Sequence, residues 1–114
     1  MTAEQLTLDL AEITVPEYAE HLTLAERFAE FHRLNGHVAD ALEALAAQWL
    51  ARHDRVSMDA LMHRLRWESG LQTRGDVYKL NNDWCAFYSR LLVERHPEWA
   101  RALRMRRSVA DGAA

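Results

Sequence analysis

From residue 23 onward the apolar residues recur at helical spacing. Leu24, Phe28 and Phe31 mark one face, and Val38, Leu42, Leu45 and Trp49 repeat at steps of four, three and four. Met58, Leu61, Met62 and Leu65 form a third stripe; Trp84, Phe87 and Leu91, with Tyr88 beside them, form a fourth; Trp99 and Leu103 suggest a fifth. The punctuation between stripes fits the same division. Thr23-Leu24-Ala25-Glu26 reads as a capping box, in which the threonine hydroxyl accepts an orphan amide and the glutamate reaches back. Asn35-Gly36 reads as a left-handed helix stop, Ser57 as a cap, and Gly70 as the end of a third helix that closes at Ser69. Asn81 or Asn82 would cap the fourth helix, which runs to about Arg95, and Pro97 suits the first turn of the fifth. The pattern predicts an all-α fold, a compact bundle of about five helices over 23–107, with 108–114 a disordered tail.

Residues 1–22 break the pattern. Leu6, Leu8 and Leu10 alternate in an acidic stretch that ends at Pro16, which disfavours an amphipathic helix and predicts a flexible or extended N-terminal arm. In an extended segment alternate side chains point the same way, so these leucines form one apolar edge. Two fates are open to it: a hydrophobic groove on a partner, or burial on the arm's own bundle.

Composition narrows the class. With 114 residues, 49% hydrophobic and 27% charged, the chain is an ordinary single globular domain. It has no apolar run of membrane-spanning length and no signal-peptide layout, which predicts a cytoplasmic protein. A single cysteine, Cys85, excludes an internal disulfide and a cysteine-rich zinc site. The net charge of −3 hides an acidic front and a basic rear: residues 1–51 carry two basic groups against nine acidic ones, residues 52–114 twelve against eight. That balance argues against strong non-specific DNA binding but leaves room for a local basic surface.

The six histidines do not group as metal ligands, since the Asn35-Gly36 break separates His32 from His37, and His53 and His63 lie ten apart without a third ligand. Glu68, Asp76 and Lys79 lack the tight spacing of a nuclease site, there is no phosphate loop, and Cys85 lies in an aromatic stretch where an inert buried thiol is expected. The expectation is a binding protein and not an enzyme, with no cofactor and no metal.

Gln5-Leu6-Thr7-Leu8-Asp9-Leu10 resembles the Gln-Leu-x-Leu-x-Leu peptide by which bacterial replication and repair proteins dock on the DNA sliding clamp. A similar peptide lies near the N-terminus of the protein that inactivates the bacterial replication initiator; another common form ends in phenylalanine, absent here. The resemblance covers six residues and implies a clamp partner held by Gln5, Leu6, Leu8 and Leu10.

The second helix, the turn at 53–56, the third helix and the connection at 71–80 are similar in order to a helix-turn-helix followed by a wing. On that reading His63, Arg66, Trp67, Arg74 and Lys79 are the nucleic-acid contacts, supported by Arg101, Arg104, Arg106 and Arg107. The plainer reading makes the arginines a solvated face and Trp67 a core anchor, and no glycine lies between Arg52 and Ser57 to set the turn.

Finally, Phe28, Phe31-His32, Asn35, His37-Val38, Leu65-Arg66-Trp67-Glu68, Lys79-Leu80-Asn81-Asn82, Tyr88, Arg90-Leu91 and Pro97 resemble a group of small proteins encoded by tailed phages and prophages of GC-rich bacteria. The likeness spans Phe28 to Arg107 and implies a mobile-element origin, with no agreed activity for the group. Taken together these readings lead to a phage accessory protein that docks on the host sliding clamp and recruits or blocks replication factors. The alternatives are a helix-turn-helix regulator and an inhibitor of a host enzyme or defence system acting through Trp67 or Trp99. A homodimer would also be in keeping with tryptophans on the surface of so small a chain.

Overall fold

In the computed structural model, Leu8, residues 10–76 and residues 79–103 are described. They form an all-α fold of four helices, α1 (Leu24–Leu34), α2 (Gly36–Leu50), α3 (Met58–Gln72) and α4 (Cys85–Arg95), with no strand among the described residues. The expected fifth helix is a single 3₁₀ turn, Pro97–Trp99, and a second such turn, Asn82–Trp84, leads into α4.

The first helix starts where its capping box places it. Thr23 Oγ1 accepts from the Glu26 amide at 3.1 Å, and the Thr23 amide donates to Glu26 Oε1 at 2.9 Å. Its end differs from the expected left-handed stop. Asn35 has φ −127°, no described residue has a positive φ, and Gly36 simply opens α2. The Asn35 side chain does the terminating instead: Nδ2 donates to the Phe31 carbonyl at 2.9 Å, and the whole residue is buried.

The third helix runs past Gly70 to Gln72. One glycine costs a helix roughly 1 kcal/mol, and the packed inner face of Met62, Leu65 and Ser69 outweighs it. Thr73 stops the helix, with its amide and hydroxyl both donating to the Ser69 carbonyl at 2.8 Å. The connection to α4 is correspondingly shorter than a wing starting at Leu71.

α4 is the central element. Cys85, Phe87, Tyr88, Ser89 and Leu92 are all buried, and Phe28 of α1 sits among its rings, 5.1 Å from Phe87 (stacked) and 4.8 Å from Tyr88 (edge-on). The chain after Trp99 returns to the bundle. Leu103 is buried, Ser89 Oγ donates to its carbonyl at 3.3 Å, and the Val56 amide donates to Ala102 O at 3.1 Å.

The described part of the arm lies along the bundle. Leu8 and Ile13 are core residues, and half-buried Leu10 and Tyr18 pack against the core. The segment has no regular structure, so its backbone groups need partners elsewhere. Asn35 supplies them: the Thr14 amide donates to Asn35 Oδ1 at 2.8 Å, and Asn35 Nδ2 donates to the Thr14 carbonyl at 2.7 Å.

Candidate partner-docking surfaces

Three surfaces bear on partners: the arm, the outer face of α3, and a groove where α2 hands over to α3. In the arm, Gln5 and Leu6 lie outside the described residues. Leu8 is 8% exposed and Leu10 is half-buried, so the alternation does gather the two leucines on one apolar edge, and that edge lies against the chain's own core. Of the two fates open to the leucines, burial on the bundle is the one seen for this pair. The hold is uneven along the arm. At Thr14 it is a pair of short bonds to buried Asn35, whereas the Leu10 amide reaches Gln72 Oε1 at 3.4 Å in an exposed contact.

On α3, the residues proposed to read nucleic acid separate into two groups. Arg66 is half-buried and occupied: Nε and Nη2 donate to the Leu80 carbonyl at 3.2 and 2.6 Å, and Nη2 also donates to Asn82 Oδ1. It ties α3 to the turn that starts α4, a structural role that the sequence reading missed. Asn81 caps that turn by accepting from the Asp83 amide at 2.8 Å. His63, Trp67, Arg74 and Lys79 are exposed. Trp67 is 68% exposed, which excludes the core-anchor reading, and Leu71, one helical turn further on, is 71% exposed. The basic residues Arg104, Arg106 and Arg107 lie outside the described residues.

The groove has a volume of about 810 Å³. Its apolar floor is Leu45, Val56 and Leu61, and Trp49 stands at its edge. Trp49 was expected inside; it is 48% exposed because its indole N–H donates to the Arg55 carbonyl at 2.7 Å and its ring stacks on His53, 4.0 Å between centroids. Arg52, Arg55 and Arg64 complete the lining, with no carboxylate among the lining residues. Arg64 also pairs with Glu68 at 3.0 Å.

Other reactive groups have structural occupations. Cys85 donates its thiol to Asp59 Oδ1 at 3.2 Å, and burial, with that carboxylate beside it, pushes the thiol up to about 12. It is therefore a thiol at neutral pH and a poor nucleophile. Among the described residues no group of three His, Cys, Asp or Glu side chains could hold a metal ion, and no helix is long and apolar enough to cross a membrane.

His96 forms a clasp from the end of α4 back to α2. Its Nε2 lies 2.6 Å from Glu43 Oε2 and its Nδ1 3.3 Å from Glu98 Oε2; Arg95 reaches Glu43 and Asp40 at 2.7 and 3.1 Å. The hydrogen bond to Glu43 is the main cause that raises the His96 pKa. A raised histidine contributes stability that is fully present below its unfolded value, near 6.5, and is lost as pH rises through the folded value. Half-buried His32 runs the other way: burial lowers its pKa, so its contribution holds above about 6.5 and fades as pH falls. The two effects are separated by comparison with His96→Gln. The wild type should exceed this variant in urea midpoint at about pH 6, and the gap should close toward about pH 8.5. A gap that does not change with pH would show that the clasp carries no charge.

No family model matches the chain, and no curated protein or solved structure matches it either.

Proposed function

We propose that this is a non-enzymatic accessory protein of mobile-element type that docks on a bacterial sliding clamp through Gln5, Leu6, Leu8 and Leu10. The observation that carries the reading is the placement of Leu8 and Leu10: they form an apolar edge in an extended segment, joined through the exposed Leu10–Gln72 bond, upstream of a firm anchor at Thr14. An edge held by side-chain burial can exchange one apolar surface for another, and the Thr14–Asn35 bonds keep the rest of the domain attached while it does so. Leaving the bundle costs about 2 kcal/mol for Leu8, which lowers apparent affinity by roughly 30-fold relative to a free peptide. The helix-turn-helix alternative is weakened, since Arg66, its central guanidinium, is committed to Leu80 and Asn82.

The test is fluorescence anisotropy against purified bacterial sliding clamps, with the full chain, the Gln5→Ala, Leu8→Ala double variant, and a synthetic peptide of residues 1–12. Micromolar binding by the full chain, tighter binding by the peptide and loss in the double variant are expected. Failure of the peptide to bind clamps from plausible hosts would remove the clamp reading.

A further inference from the structure

The outer face of α3 carries both halves of one contact: a pair of protruding apolar side chains, and a recess that fits them. We infer that two copies of the chain pair antiparallel along this face, each seating its Trp67 and Leu71 at the other's groove between α2 and α3.

Ala60, Arg64, Trp67 and Leu71 are all exposed and follow one another at steps of four, three and four, the spacing of a two-helix seam. The core takes Met58, Leu61, Met62, Leu65 and Ser69 from the other side of the helix. Trp67 and Leu71 are the two most exposed large apolar side chains described. At the opposite end of the seam, Ala60 and Arg64 line the groove, above its floor of Leu45, Val56 and Leu61. From Ala60 to Leu71 the helix rises roughly 16 Å. Leu71 therefore cannot enter the recess on its own helix, but it can enter that of a second copy.

A two-fold pair must match its own surface pattern read backwards. The steps of four, three and four read the same in both directions, so the reversed seam is in register with itself. Leu71 of one copy then faces Ala60 of the other, a large side chain over a small one, and Trp67 faces Arg64. Both apolar anchors thus arrive at residues that line the groove, whose volume of about 810 Å³ leaves room for an indole and an isobutyl group. Arg64 keeps its 3.0 Å bond to Glu68 in this arrangement, because that bond uses the edge of the guanidinium and stacking on an indole uses its flat face. The same ion pair leaves the middle of the seam close to neutral, so like copies approach there without repulsion. A parallel pair would instead set Arg64 against Arg64 and leave both grooves empty. One helix face with two large anchors belongs to the small, reversible class of interface, under about 1,200 Å² in total, so a dissociation constant of roughly 10–100 μM is expected.

The experiment is sedimentation velocity on the full chain from about 5 to 500 μM, a range that brackets the expected constant. Leu71→Glu removes the protruding anchor and Ala60→Tyr blocks the recess; both positions are exposed, and circular dichroism and urea midpoints check that each variant is folded. A monomer–dimer equilibrium is expected, weakened about tenfold or more by each substitution. Disulfide trapping reads the orientation. The Ala60→Cys, Leu71→Cys double variant should form a covalent dimer on mild oxidation. Neither single variant should do so, because like positions in the antiparallel pair are roughly 16 Å apart along the helix axis. The wild type, with only buried Cys85, is the blank. A chain that stays monomeric throughout, a dimer that both substitutions leave unchanged, or trapping of the single Leu71→Cys variant as readily as the double one would each overturn the inference. The pairing uses no residue of Gln5–Leu10, so its failure and the failure of clamp docking are read separately.

Discussion

Asn35→Ala should lower unfolding stability by about 1–3 kcal/mol in urea titration, because it removes the side-chain hydrogen bonds that tie the arm to the end of α1. Asn35 is fully buried and its amide side chain makes three bonds: it accepts from the Thr14 amide, and donates to the carbonyls of Thr14 and Phe31. Alanine takes the side-chain partners away from the Thr14 amide and carbonyl, while the backbone amide of residue 35 still closes α1 on the Phe31 and His32 carbonyls. Aspartate is the informative companion. It keeps the acceptor for the Thr14 amide but turns an oxygen toward two carbonyls, so Asn35→Asp should be at least as damaging. Hydrogen exchange should show faster loss of the Thr14 amide proton in both variants. A loss below about 1 kcal/mol with Thr14 still protected would mean that the arm is held without Asn35.

Tyr88→Ala should cost about 3–5 kcal/mol, since a fully buried ring packed on Phe28 and His32 is removed. For a domain with ordinary stability that is a large share of the total. Tyr88→Phe should behave oppositely. The hydroxyl is buried with no hydrogen-bond partner, so removing its oxygen costs little and can add up to about 1 kcal/mol. Burial also pushes the phenol pKa far up, so the group stays neutral across the accessible pH range. If Tyr88→Phe lost more than about 2 kcal/mol, the hydroxyl would have to be working as a bonded group, and the packing account of this cluster would be wrong.

What was legible in the sequence is what short-range chemistry controls. The Thr23 box and the Ser57 cap depend on residues three apart, and both are formed. The buried stripes of α1 and α3 follow from 3.6-residue periodicity, which is local by construction. In the α4 stripe Trp84, Phe87 and Tyr88 are buried as expected, but the stripe ends on Leu92, and Leu91 is only half-buried. The misreadings all involve partners distant in sequence or competition between weak local signals. Asn35-Gly36 carries the same residue types whether it ends a helix by a left-handed turn or by a side-chain lock, and only the arm 21 residues upstream decides. Gly70 is a breaker too weak to defeat Ser69 and Leu65 packed beneath it.

The candidate sites were harder to read for the same reason. Arg66 looks like a free surface cation until a carbonyl 14 residues away is brought to it. Trp49 continues a periodic stripe, but at the end of α2 its indole N–H finds a carbonyl in the following turn and the ring is drawn outward. The turn at 53–56 shows in the sequence only as a connection between two helices, yet His53, Arg55 and Val56 line the groove. Alternation correctly gathers Leu8 and Leu10 on one edge, while the surface that receives the edge is a property of the assembled bundle.

The contact between Leu10 and Gln72 has a temporal side, because its two ends are 62 residues apart in the chain. During synthesis at roughly 5–20 residues per second, the arm leaves the ribosome some 3–12 s before Gln72 follows. Throughout that interval the leucine edge has no bundle to rest on. The nascent protein thus offers its N-terminal peptide in free form to any nearby groove, including a chaperone's, and the finished domain recovers it only once α3 is complete.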